Sequence, residues 1–105
     1  MSEDLPRYRV RISEHVSQEL EDIFNFIEKQ SFQNAVALIA RILDMIESLN
    51  TLPYRFSKAK LRHRPENEQL RRVVVDSYII EYRIDEANKI VLILSVQHGA
   101  SEYFA

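Results

Sequence analysis

The chain has 105 residues, with 14 lysines and arginines against 16 acidic residues, a formal net charge of -2 and no cysteine. A chain of this length buries roughly 65% of the surface its unfolded form exposes, so one domain over residues 1–105 forms a core without a metal or disulfide staple. Lack of cysteine excludes disulfides, thiolate zinc sites and a cysteine nucleophile, and the slightly acidic total argues against a general polyanion binder.

Charge is unevenly placed along the chain. Residues 55 to 72 hold Arg55, Lys58, Lys60, Arg62, Arg64, Arg71 and Arg72 against Glu66 and Glu68, a local charge of +5 that leaves -7 on the remainder. A cationic patch on an acidic body is expected. The acidic start Met1-Ser2-Glu3-Asp4 has no apolar stretch behind it, and the apolar run Ile90 to Leu94 is far too short to cross a bilayer. A soluble, cytoplasmic protein is the expectation.

In RYRVRI, Arg7, Arg9 and Arg11 alternate with Tyr8, Val10 and Ile12, the period-two signature of a half-buried strand with one basic face. Ser13 is placed to cap a helix and Glu14 suits its first turn. Val16, Leu20, Ile23, Phe24 and Ile27 then recur at helical spacing to about residue 29. Glu19, Glu21 and Asp22 are expected to solvate that helix and offer no metal geometry. Ser31 caps a second helix, whose stripe of Val36, Ile39, Leu43, Ile46 and Leu49 is widened by Leu38, Ile42 and Met45 before Asn50 and Pro53 end it. The short break between them predicts an antiparallel helical hairpin.

From Leu52 to Gln69 no periodicity is visible, and the charged, proline-containing stretch reads as a loop long enough to carry function. LRRVVV and YIIEYRI, joined by Asp76-Ser77, predict a hairpin with Val75 opposite Tyr78, Val73 opposite Ile80 and Arg72 opposite Glu81. That register places Arg71, Val73, Val75, Tyr78, Ile80, Tyr82 and Ile84 on one face, toward the helices, and Arg72, Val74, Ile79, Glu81 and Arg83 on the other. After DEANK, IVLILSV is apolar on both parities, as a central strand is. The predicted fold is α+β: a helical hairpin packed on a small, mostly antiparallel four-stranded sheet in the order β-α-α-β-β-β.

SEHVSQELEDIFNFI, LNTLPYRF, PENEQLRRVVV, YIIEYRID and ILSVQHGA, in this order and spacing, resemble the RelE/ParE superfamily of toxins from type II toxin-antitoxin systems, often labelled plasmid-stabilisation proteins. The resemblance covers nearly the whole chain. It implies a toxin neutralised by a cognate antitoxin that wraps its surface. RelE-like members resemble ribosome-dependent endoribonucleases that cut mRNA, whereas ParE-like members resemble inhibitors of DNA gyrase. Ser101 follows His98-Gly99-Ala100 where many relatives carry arginine, and Ile79 follows Tyr78 where RelE-type nucleases often carry a basic residue. The likeness is therefore closer to the ParE side, with a degenerate toxin retained as an antitoxin-binding module as a further reading.

A RelE-like, metal-free nuclease would draw on Arg71 and Arg72 for phosphate charge, His98 as acid or base, and Tyr103 as orienting or donating group. Set against these roles, Arg72 is placed for a cross-strand ion pair with Glu81, Arg71 for loop carbonyls or Glu68, and His98 for backbone at the end of the last strand. Tyr78 and Tyr82 fall on the core-facing parity, while His15 and His63 are expected at the surface. Arg55, Lys58, Lys60, Arg62, Arg64 and Arg83 are the candidate partner-binding cations, and the Arg7, Arg9, Arg11 row suits acidic side chains or phosphates. No metal or cofactor is assigned. The expected partners are an antitoxin and either gyrase or the ribosome with its mRNA, with a homodimer left open.

Overall fold

A computed structural model describes residues 7–56 and 70–99. Six elements lie in this stretch: β1 (Arg9–Ile12), α1 (Glu14–Glu28), α2 (Phe32–Ser48), β2 (Arg71–Val75), β3 (Tyr78–Asp85) and β4 (Ile90–His98), with one 3-10 turn at Pro53–Arg55. The strands form one sheet in the order β1-β4-β3-β2. β4 runs parallel to β1 and antiparallel to β3, which is antiparallel to β2. The α+β architecture and the mostly antiparallel four-stranded sheet are those expected.

Each helix begins where a serine can accept an orphan amide. Ser13 Oγ accepts from the Val16 N–H at 3.2 Å, and Ser31 Oγ from the Asn34 N–H at 3.1 Å. On α1 the row Val16, Leu20, Ile23 and Ile27 turns inward, with Val16 fully buried. On α2 the buried row is Ala35, Leu38, Ile42 and Ile46, ending on Leu49 just past the helix. Val36 and Leu43, expected in the core, stay 45% and 41% exposed. Apolar residues cover more of the circumference of α2 than a single core contact can bury, so periodicity alone placed the stripe too far round the helix.

The β2–β3 hairpin takes the expected register, with Val75 opposite Tyr78 and Arg72 opposite Glu81. Asp76 supplies the positive φ of 54° that its turn needs, a conformation that Asp tolerates better than most residues. At the other end of β3, Asp85 accepts from the Asn88 backbone and side-chain N–H groups at 3.2 and 2.9 Å, and Lys89 at φ 54° returns the chain into β4.

β4 is the central strand, and Val91, Ile93 and Val96 pack with Ile42, Ile46, Leu49, Ile80 and Tyr82 in one core on the helix side of the sheet. Opposite β3 its register shifts: Glu81 pairs with Ser95 and Tyr82 with Ile93, which leaves Leu94 as the extra residue of a bulge. On its other side β1 stops at the Ile12–Ile93 pair. Beyond that point the Val96 N–H is met by Glu19 Oε1 of α1 at 2.9 Å. Glu19 is thus a partner of the central strand rather than a solvating residue, because a buried edge amide needs an acceptor once its neighbouring strand has ended.

Tyr82 is fully buried, and its hydroxyl donates to the Pro53 carbonyl at 2.6 Å, fixing the 3-10 turn onto the sheet. Tyr82→Phe keeps the ring and strands that carbonyl, so it is expected to lower unfolding free energy by about 1–3 kcal/mol. Urea denaturation should show a reduced midpoint with an unchanged slope.

Candidate functional site

Helices cover one face of the sheet, and the residues of opposite parity lie on the other, where no described helix packs: Arg9 and Arg11 on β1, Leu92 on β4, Glu81 and Arg83 on β3, Arg72 and Val74 on β2. Glu81 is buried there, whereas Arg9, Arg11 and Arg83 are exposed. Val74 is 61% exposed there. Arg71 and Arg72 are adjacent in sequence and therefore point to opposite faces.

Three of the arginines singled out in the sequence, Arg55, Arg71 and Arg72, engage the chain itself. The Arg71 guanidinium donates to the Phe56 carbonyl at 2.6 Å and the Tyr54 carbonyl at 3.3 Å, and lies 4.9 Å from the Tyr54 ring centroid. This is the loop-carbonyl role foreseen for it. Arg55 turns back on the exit of α2, donating to the Thr51 carbonyl at 2.7 Å, the Leu52 carbonyl at 3.1 Å and Ser48 Oγ at 2.7 Å. A cation there complements the negative end of the helix. Arg72 Nε lies 3.6 Å from Glu81 Oε2 across the hairpin, the pair anticipated from the register. Arg41, on α2, reaches Asp76 at the hairpin turn at 2.5 Å.

His98 ends β4 opposite Tyr78, their rings meeting edge to face at 5.3 Å between centroids. Arg71 on β2 pairs with Tyr82, four residues along β3 from Tyr78, which offsets it from His98 by about 13 Å along the strands and by two strand spacings across them. Among the described residues, Arg71, Arg72 and His98 are therefore spread over the width of three strands of the sheet and not gathered in one cleft. Lys58, Lys60, Arg62, Arg64 and Tyr103 lie outside the described residues, as do His63 and Ser101. Among the described residues no group of three histidine, aspartate or glutamate side chains is arranged to hold a metal ion, and no helix is long and apolar enough to cross a membrane.

One cluster escaped the sequence reading. Tyr8 and Tyr54 both donate to Glu86 Oε1, at 2.8 and 2.7 Å, and Lys89 pairs with Glu86 Oε2. The Lys89 ammonium also sits 5.1 Å from the centroid of the Tyr8 ring, which meets that of Tyr54 edge to face. This clasp ties the start of β1, the 3-10 turn and the β3–β4 connection at one end of the sheet. Tyr8 and Glu86 are separated by 78 positions, and no local pattern links them.

The hydrogen bonds from Lys89, Tyr54 and Tyr8 hold the Glu86 carboxyl down to about 2, and the carboxylate in turn pushes the Tyr54 phenol up to about 12. A carboxylate whose ionised form is favoured in the folded state stabilises above its unfolded pKa and loses that stabilisation as pH falls through its folded one. The stability difference between the native chain and Glu86→Gln is therefore expected to be constant above about pH 4.5 and to vanish as pH falls toward about 2. It should also shrink in high salt, since Glu86 is exposed. Thermal unfolding across that range measures it, and a difference independent of pH would disprove the clasp.

A groove of about 300 Å³ runs between β1 and α2, lined by Val10, Ile12, Leu43, Ile46 and Glu47. It continues onto the exposed face of α2, where Phe32, Val36, Ile39 and Leu43 recur at helical spacing; Phe32 is 60% exposed. A second apolar row beside the buried one explains why the sequence stripe was so wide.

A family model described as the ParE toxin of type II toxin-antitoxin systems, parDE, matches residues 10–103. No curated protein matches in sequence. Among solved structures, the chain is similar to one of the chromosomal ParDE toxin-antitoxin system of P. aeruginosa. That match has TM-score 0.70 and 12% identity, over 88% of this chain and 96% of the other. It is also similar to a RelBE toxin-antitoxin complex from Mycobacterium tuberculosis, with TM-score 0.62 and 24% identity over 88% and 98% of the two chains. A third likeness is to an archaeal RelE-RelB complex from Pyrococcus horikoshii, with TM-score 0.62 and 22% identity over 89% and 96%. At these identities the structures speak for a shared fold, and the family match spans almost all of the sequence. The chain belongs to the ParE toxin family of type II toxin-antitoxin systems.

Proposed function

We propose that the chain acts by gripping a macromolecular target, with DNA gyrase as that target, and that a cognate antitoxin neutralises it. The observation that carries binding over catalysis is the engagement of the candidate nuclease groups. Arg71 is used on loop carbonyls, Arg72 stands against Glu81, and His98 is offset from Arg71 by about 13 Å along the strands and by two strand spacings across them. Metal-free RNA cleavage needs cations and an acid-base group converging on one phosphate. The family match to ParE supports the same reading, and the toxin-antitoxin complexes among the similar structures support a cognate antitoxin.

The antitoxin's seat, on this reading, is the apolar row of Phe32, Val36 and Leu43 with the groove beside β1. An apolar strip of three helical turns suits the apolar face of a partner segment. Lone exposed apolar residues are ordinary, whereas an ordered row continuous with a groove is what an interface requires.

Expression without the neighbouring antitoxin gene should arrest growth, and purified protein should inhibit supercoiling by gyrase. Absence of any effect on gyrase together with new mRNA ends on translating ribosomes would move the assignment to an endoribonuclease. Absence of growth arrest would leave a degenerate, antitoxin-binding module. Val36→Asp is expected to weaken antitoxin binding about tenfold or more, the scale of an interface anchor, while changing stability by no more than about 0.5 kcal/mol. Calorimetric titration and urea denaturation measure the two effects separately.

A further inference from the structure

Seven of the described arginines divide into two sets. Arg41, Arg55, Arg71 and Arg72 each engage a carboxylate or backbone carbonyls. Arg9, Arg11 and Arg83 are exposed and make no hydrogen bond or salt bridge among the described residues. Sheet register brings these three together on the face away from the helices. Arg11 pairs with Leu92, which pairs with Arg83 on its other side, so the two arginines flank one leucine. Their Cα atoms lie about 10 Å apart, two strand spacings, and Arg9 is about 7 Å from Arg11 along β1.

The geometry points to a binding surface for the phosphate backbone of duplex DNA, formed by Arg9, Arg11 and Arg83. Charge placement orients such an encounter. Glu14, Glu21, Asp22, Glu28, Asp44 and Glu47 all lie on the two helices, behind the sheet, so a polyanion is turned toward the arginine face despite the net charge of -2. Two carboxylates flank Arg83 on that face: Glu81 is paired with Arg72, and Asp85, within electrostatic reach of Arg83, accepts two hydrogen bonds from Asn88 in its own turn. Guanidinium forks suit phosphate oxygens, and a duplex presents one charge per roughly 1.7 Å of its axis, so three contacts fit within this triangle.

Two features favour a nucleic acid backbone over an acidic protein. The three cations span two strands across the sheet as well as one along it, whereas an extended peptide follows a single line. The triangle also lacks the buried apolar or aromatic anchor around which protein interfaces are built, since Leu92 alone stands between the arginines. Among the described residues no aromatic ring shares this face, so single-strand stacking has no platform and contact is to backbone charge.

The test is fluorescence anisotropy of a labelled random-sequence 20-base-pair duplex against the purified full chain between 50 and 200 mM salt. Each neutralised phosphate contributes about -0.9 to the slope of log affinity against log salt. The double variant Arg11→Ala with Arg83→Ala is expected to flatten that slope by about 2, while Arg11→Lys with Arg83→Lys keeps it. Arg41→Ala, removing an exposed arginine on a helix, should leave it unchanged. Circular dichroism confirms that all variants fold. The inference is overturned by undetectable duplex binding at 50 mM salt, by an unchanged slope in the double alanine variant, or by equal loss in Arg41→Ala. Binding of poly-glutamate as tight as that of the duplex, lost in the same variant, would reassign the surface to an acidic protein. Because no gyrase is present, a negative result here leaves the gyrase reading standing on its own assay.

Discussion

β4 is the constraint from which the rest of the molecule follows. Val91, Ile93 and Val96 are essentially without solvent exposure, and the strand must be paired along both edges and covered on one side. Its partners come from the two ends of the chain: β1 runs parallel to it and β3 antiparallel. A parallel pair cannot be joined by a tight turn, so the chain between β1 and β4 must travel away from the sheet and return. The helical hairpin makes part of that journey and supplies Ile42, Ile46 and Val16 to the face that β4 has to bury.

Unequal strand lengths then create a local problem. β1 has four residues and β4 has nine, so the far half of β4 has no β1 residue beside it. Glu19 meets the Val96 amide that β1 leaves unpaired, and a carboxylate can do so because α1 starts two residues after β1 ends. The bulge at Leu94 falls in the same region, which bends β4 where its pairing to β1 ends while that to β3 continues. At the other end the Tyr8, Tyr54 and Glu86 cluster closes the sheet, and Arg71 and Tyr82 hold the 3-10 turn between them.

What the sequence disclosed was whatever depends on neighbours within a few residues or on one turn. Ser13 and Ser31 named their helices, Asp76-Ser77 set the hairpin register, and that register alone placed Arg72 beside Glu81 and Tyr82 in the core. It failed where two distant segments meet. Glu19 looked like a solvating residue because its acceptor role depends on where β1 stops, and the Glu86 clasp joins positions that no periodicity connects. The α2 stripe misled for a different reason: a helix with a core row and an exposed row gives one broad apolar signal, and only packing divides Ile42 from Leu43. For the candidate site, the register revealed which face each arginine takes, but not that Arg55 and Arg71 turn back onto the chain.

β1 is where the two outer surfaces meet. Val10 and Ile12 line the groove against α2, while Arg9 and Arg11 stand exposed on the opposite face of the same four-residue strand. A partner confined to the exposed row of α2 would leave the arginines accessible, and one confined to the arginine face would leave the apolar row wet. On the proposed reading, full neutralisation therefore requires an antitoxin that passes around the β1 edge. Alternation along the strand makes that edge suitable: the Arg9 amide bonds Lys89 across to the start of β4, and the Tyr8 amide points the other way, to Asn50. By the same alternation the backbone groups of Val10 and Ile12 face outward. An apolar groove, a row of hydrogen-bonding backbone groups and a pair of guanidinium groups thus lie in sequence across one strand. A chain wrapping from helix side to sheet side would meet each of the three in turn.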